Sequence, residues 1–103
     1  VKKQHLVLWR AAELLLCNER SRSYARFCGC SLEVTTTSSG QTVAVVERKR
    51  AEDGGWETIV RNVWDNQLVG TVAGARIWCE AAARLHKATM NVLERPRAVG
   101  ISR

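Results

Sequence analysis

The chain has 103 residues, 46% of them hydrophobic and 25% charged, with a formal charge of +6. That length leaves room for one hydrophobic core and no second, and the balance excludes a disordered tail or a low-complexity linker. Twelve arginines against four lysines carry the positive charge. The planar arginine fork suits phosphate and carboxylate, so a polyanionic partner is one expectation, and a coding bias that raises arginine and alanine together is the other.

The first element expected is a helix over residues 5–19, rich in Ala, Leu and Glu and free of Gly and Pro. On a helical wheel Arg10, Glu13 and Cys17 share one narrow side, while Leu8, Ala11, Ala12, Leu15 and Leu16 cover most of the rest. So wide an apolar arc exceeds what one sheet contact buries, which predicts a homodimer contact through Leu8, Trp9 and Leu15. The same stretch imitates a secretory leader ending in Leu14-Leu15-Leu16-Cys17, but Arg10 and Glu13 interrupt it and Leu16 is large for the position before a cleavage point. A soluble, cytoplasmic protein that keeps its N-terminus and has no membrane partner is the expectation.

Residues 18–29, NERSRSYARFCG, read as a polar connection. In it Arg20, Arg22 and Arg26 interleave with Tyr24 and Phe27, and guanidinium groups beside rings suit phosphate pairing and base stacking. Arg20, Arg22, Tyr24 and Arg26 are therefore the nucleic-acid-binding candidates. The bland reading is an exposed connection whose two rings cap the core.

Residues 30–37 alternate, with Leu32, Val34 and Thr36 on one side and Glu33, Thr35 and Thr37 on the other, the period of a half-buried strand. After the turn Ser38-Ser39-Gly40, residues 41–50 form a second strand whose Val43, Ala44, Val45 and Val46 are apolar on both faces, as in a central position. Glu52-Asp53-Gly54-Gly55 breaks it. Residues 56–64 make a third strand, with Ile59 and Val63 facing opposite to Trp56, Val60 and Trp64. A short fourth strand over 67–69 is optional. Thr71 is a fitting N-cap for a last helix over 72–93, which stops before Pro96 and whose alanines at 75, 81, 82 and 83 allow a close approach to a sheet.

The expected fold is thus α+β in two layers, an antiparallel three- to four-stranded meander sheet with an N-terminal and a C-terminal helix in the order α-β-β-β-α. Residues 1–94 form a single domain and 95–103 a mobile basic tail in which Arg95, Arg97 and Arg103 add phosphate contacts. That order resembles the topology of double-stranded-RNA-binding domains. In those domains the last helix opens with consecutive lysines, whereas Thr71-Val72-Ala73-Gly74-Ala75-Arg76 holds one base, and the resemblance goes no further than topology.

Residues 1–29 carry six bases and two acids, 30–70 four and six, and 71–103 six and two. Nucleic acid is therefore expected along the flanks and not across the sheet, with Trp56 and Trp64, beside Glu57 and Asp65, filling the core. Cys17, Cys28, Cys30 and Cys79 have no C-x-x-C spacing and no zinc pattern; Cys17 and Cys79 read as small hydrophobes, and Cys28-Gly29-Cys30 is the one suggestive pair. His5 and His86 have no nucleophile or carboxylate at an arguable spacing, and no phosphate loop occurs. Neither catalysis, cofactor nor metal is expected. The function expected is a small basic nucleic-acid-binding accessory protein, the alternative a dimeric protein-interaction or scaffold module.

Overall fold

The computed structural model describes residues 6–65 and 72–94. Five antiparallel strands, β1 (Arg10–Ala11), β2 (Glu19–Phe27), β3 (Cys30–Thr37), β4 (Gln41–Lys49) and β5 (Trp56–Asp65), lie in the order of the chain, and one helix, α1 (Val72–Leu93), packs over β3 and β4. Tight turns produce the meander. Between β2 and β3 only Cys28 and Gly29 intervene, both at positive φ (54° and 76°), the hand that matches the twist of the flanking strands.

Alternation along β3 and β4 puts Cys30, Leu32, Val34, Thr42, Ala44 and Val46 on one face, where all are buried. The helix meets them with Ala75, Cys79 and Ala83, four residues apart and so in one row. Small side chains in that row let the helix axis settle close to the sheet. The Cys79 thiol comes to 4.0 Å from the Glu33 carbonyl oxygen. Burying Leu32, Val34 and Val46 contributes about 1.5–3 kcal/mol each, and this layer is the core. No helix among the described residues is long and apolar enough to cross a membrane.

The two-layer α+β class, the meander, the strands at 30–37 and 41–49 and the helix at 72–93 agree with the sequence reading. Three parts are corrected. Among the described residues there is no N-terminal helix: Arg10 and Ala11 pair with Tyr24 and Ser23, and the Ala12 N–H donates to the Arg22 carbonyl at 2.7 Å. The intrinsic helix propensity of this stretch is outweighed by sheet pairing and by Trp9, whose Nε1 donates to Glu80 Oε2 on α1 at 2.8 Å. The polar connection 18–29 is largely strand β2, so the sheet has five strands and the likeness to the RNA-binding topology lapses.

The third correction concerns β5. Val46 pairs with Val60 and Glu47 with Thr58, so Ile59 is an extra residue that bulges the strand. The bulge reverses the alternation: Val60 and Trp64 share the helix side, but Trp56 is on the opposite face with Lys49, its register partner. Ile59 packs against the core instead of facing away from it. The optional strand at 67–69, the cap at Thr71 and the tail 95–103 lie outside the described residues.

Replacing Leu32 by Ala should cost about 2–5 kcal/mol in urea unfolding, because the helix and β4 hold the cavity open. Leu14→Ala, at a side chain 83% exposed, should change stability by no more than about 0.5 kcal/mol.

Candidate functional site

A single helix covers one face of a five-stranded sheet, and the other face has no layer over it among the described residues. Strand alternation assigns its residues. One row runs Tyr24, Glu33, Val45, Arg61 across β2 to β5, with Arg10 of β1 opposite Tyr24; the next rows hold Arg22, Thr35, Val43, Val63 and Arg26, Ser31, Glu47, Thr58. Arg22, Tyr24 and Arg26 thus stand side by side at steps of about 6.6 Å.

Trp56 completes this group. Its ring lies across the ends of β4 and β3 with the Arg26 guanidinium 4.7 Å from the ring centre. Tyr24 is 45% and Trp56 37% exposed, the two largest aromatic surfaces turned outward. Beside Tyr24 and Arg26 a shallow pocket of about 250 Å³ is walled by Leu8, Arg10 and Ala25. Arg10, Lys49 and Arg61 are exposed on this face and form no ion pair among the described residues.

The four candidates of 18–29 separate into different roles. Arg22 is a clamp: its Nη2 donates to the Leu14 carbonyl at 2.8 Å, Nη1 lies 3.6 Å from Glu33 and Nε 3.6 Å from Glu19. That Nε is buried with no hydrogen-bond partner, and the Leu14 carbonyl with the Glu19 and Glu33 carboxylates holds the guanidinium against the turn at 12–18. Arg20 is exposed at the bulge of β2 between Glu19 and Ser21, apart from the Tyr24–Arg26–Trp56 group. Arg95 and Arg97 lie outside the described residues.

The proposed dimer residues are not brought together. Leu8 is 69% and Leu15 41% exposed at separate places in irregular chain, and Trp9 is taken up within the molecule, under the Arg76 guanidinium at 5.3 Å. Other cations are likewise engaged: Arg84 with Phe27 at 4.9 Å, Arg48 with Glu57 at 3.1 Å and Arg50 with Asp53 at 3.0 Å. The Arg50 bond, then the Gly55 N–H, holds the Asp53 carboxyl below its ordinary range. These pairs leave a cleft of about 390 Å³ at the C-terminal end of α1, near His86 and Lys87, largely neutralised.

Sequence reasoning missed Trp56, assigned to the core, and the open-face placement of Arg10, Lys49 and Arg61. A signal existed: Arg22, Tyr24 and Arg26 alternate with the small or apolar Ser23, Ala25 and Phe27, the period of a strand. Cys17 is exposed and not a packed hydrophobe, whereas Cys79 is fully buried as expected. Burial first, and then Cys28, push the Cys30 thiol up; burial first, and then Glu80, push Cys79 to about 12. Among the described residues no group of three or more His, Cys, Asp and Glu is placed to hold a metal ion. Compared with protein-family models, curated proteins and solved structures, the chain finds no match in any of the three.

The Cys79 shift has a sign that can be measured. A thiol whose folded pKa lies above its ordinary value of 9.0 adds stability at neutral pH, and that contribution is lost as pH rises from about 9 to about 12. Chemical denaturation across this window should show falling stability, and Cys79→Ala should remove this part of the slope. Native protein treated with a thiol reagent at pH 8 should react at Cys17 first and at Cys79 only after unfolding.

Proposed function

We propose that the helix-free face of the sheet binds single-stranded nucleic acid, with Tyr24 and Trp56 as stacking surfaces and Arg26, Arg10, Lys49 and Arg61 as phosphate contacts. The observation that carries this reading is the Tyr24–Arg26–Trp56 group, two exposed rings with a guanidinium seated on one of them. Every base has a π-face, so stacking on rings tolerates sequence, and nearby cations follow the backbone. A sheet face also suits a flexible single strand better than a duplex, whose bases are stacked away from side chains.

This reading keeps the partner expected from composition and moves the contact from a flanking loop onto the sheet. Acids on the same face, Glu33, Glu47 and Asp65, temper the field. Glu33 is 3.6 Å from Arg22, which offsets its charge locally. Arg95 and Arg97, which follow α1 in the chain, add phosphate contacts in this proposal, and Arg20 contributes from the edge of β2.

The test is fluorescence anisotropy with labelled single-stranded DNA, single-stranded RNA and duplex DNA at low salt. If three or four phosphates are neutralised, the log–log salt slope for single strands is roughly −2 to −3, at about −0.7 for each phosphate. Trp56→Ala and Tyr24→Ala should each weaken binding by about 1–3 kcal/mol, while Arg26→Ala lowers the salt slope. Binding that is absent at low salt, or unaffected by both aromatic replacements, refutes the assignment.

A further inference from the structure

Besides the row it buries, α1 carries a second apolar row. Ala75, Cys79 and Ala83 face the sheet. About 140° round the wheel, Gly74, Trp78, Ala81, Leu85, Ala88 and Val92 follow one another alternately four and three residues apart, the spacing of a seam that meets another helix. Leu85 is 69% and Val92 61% exposed, Ala81 and Ala88 are exposed, and Trp78 is half-buried against Trp64. No charge interrupts the seam: Arg76, Glu80 and Arg84 lean the other way, onto Ser23, Trp9 and Phe27.

Size alternates along this seam as regularly as position does. Trp78, Leu85 and Val92, seven residues apart, are large, and Gly74, Ala81 and Ala88, also seven apart, are small. Two parallel copies would set large against large in one layer and small against small in the next, so no single spacing of the helices would fill both. Antiparallel copies set every large residue against a small one, and the seam is then complementary to itself.

We propose that a second copy of this chain packs its α1 antiparallel on this seam about a two-fold axis level with Ala83, so that Leu85 of each copy meets Ala81 of the other, Trp78 meets Ala88 and Val92 meets Gly74. This register uses all six seam residues of both copies. Sliding one helix by a heptad in either direction keeps only four of them opposite a seam residue.

Layers closed by glycine and alanine bring the two axes to about 8 Å, the near end of the range for packed helices. The seam is about 27 Å long, and two such strips bury roughly 1,000 Å² in all, the lower end for a specific interface, so the dimer is a micromolar one. The apolar groove of about 520 Å³ between α1 and Ile59 and Val60 of β5 opens beside the seam and gives Trp78 and Leu85 room to lean aside as the helices approach. The sheets stand outermost, and the helix-free face of each copy stays open. This contact does not involve Leu8, Trp9 or Leu15.

Sedimentation at high micromolar concentration should show a dimer. Leu85→Glu, at a side chain that the fold leaves exposed, should raise the dissociation constant about a hundredfold with unchanged circular dichroism. Ala81→Leu should weaken the dimer roughly tenfold by overfilling the two central layers, and adding Leu85→Ala should restore it, since the swap exchanges large for small within the same layer. Cross-linking in a chain carrying Cys17→Ser and Cys28→Ser reads the orientation. A mixture of Ala81→Cys and Leu85→Cys chains should be joined by a short bismaleimide, whereas two Val92→Cys chains, with those positions about 27 Å apart along the axis, should not be joined. A wild-type monomer overturns the proposal. So does a dimer indifferent to Leu85→Glu, or one that Val92→Cys joins and the mixture of Ala81→Cys and Leu85→Cys does not.

Discussion

The row Ala75, Cys79, Ala83 against Leu32, Val34, Ala44 and Val46 is the contact on which the rest of the molecule depends. A sheet of five strands has more apolar face than one helix can cover, and large residues in the row would hold the helix further out and centre it less sharply. Small ones let it sink between β3 and β4. Once the axis is placed there, the wheel decides everything at its sides: Arg76, Glu80 and Arg84 fall above β2, and Trp78, Ala81 and Leu85 above β5.

The two sides then close differently. Over β2 the long polar side chains reach back to rings, Arg76 on Trp9 and Arg84 on Phe27, while Glu80 accepts the Trp9 N–H, so the N-terminal segment is pinned there and supplies β1. Over β5 no such reach exists, because the facing side chains are apolar and Trp64 meets only the edge of Trp78 at 5.4 Å. Among the described residues no helix covers the outward face of the sheet. What remains for function among the described residues is therefore an open face with its rings at one end, and an apolar groove between α1 and β5.

Those elements whose contacts are local were legible in the sequence. Alternation along 30–37, the apolar run of 41–49 and the long pattern ending before Pro96 each reflect a single period within one segment. Residues 5–19 misled because propensity there favours a helix, and the outcome rests on partners far along the chain: Tyr24 and Ser23 for β1, Glu80 and Arg76 for Trp9. Tyr24 and Arg26 were recognised by composition, since a guanidinium next to a ring is a local pattern. Trp56 was not, because its face depends on the bulge at Ile59, a one-residue register shift that flips side chains. Arg22 shows the converse: its charge reads as available, and only the fold reveals Leu14, Glu19 and Glu33 around it.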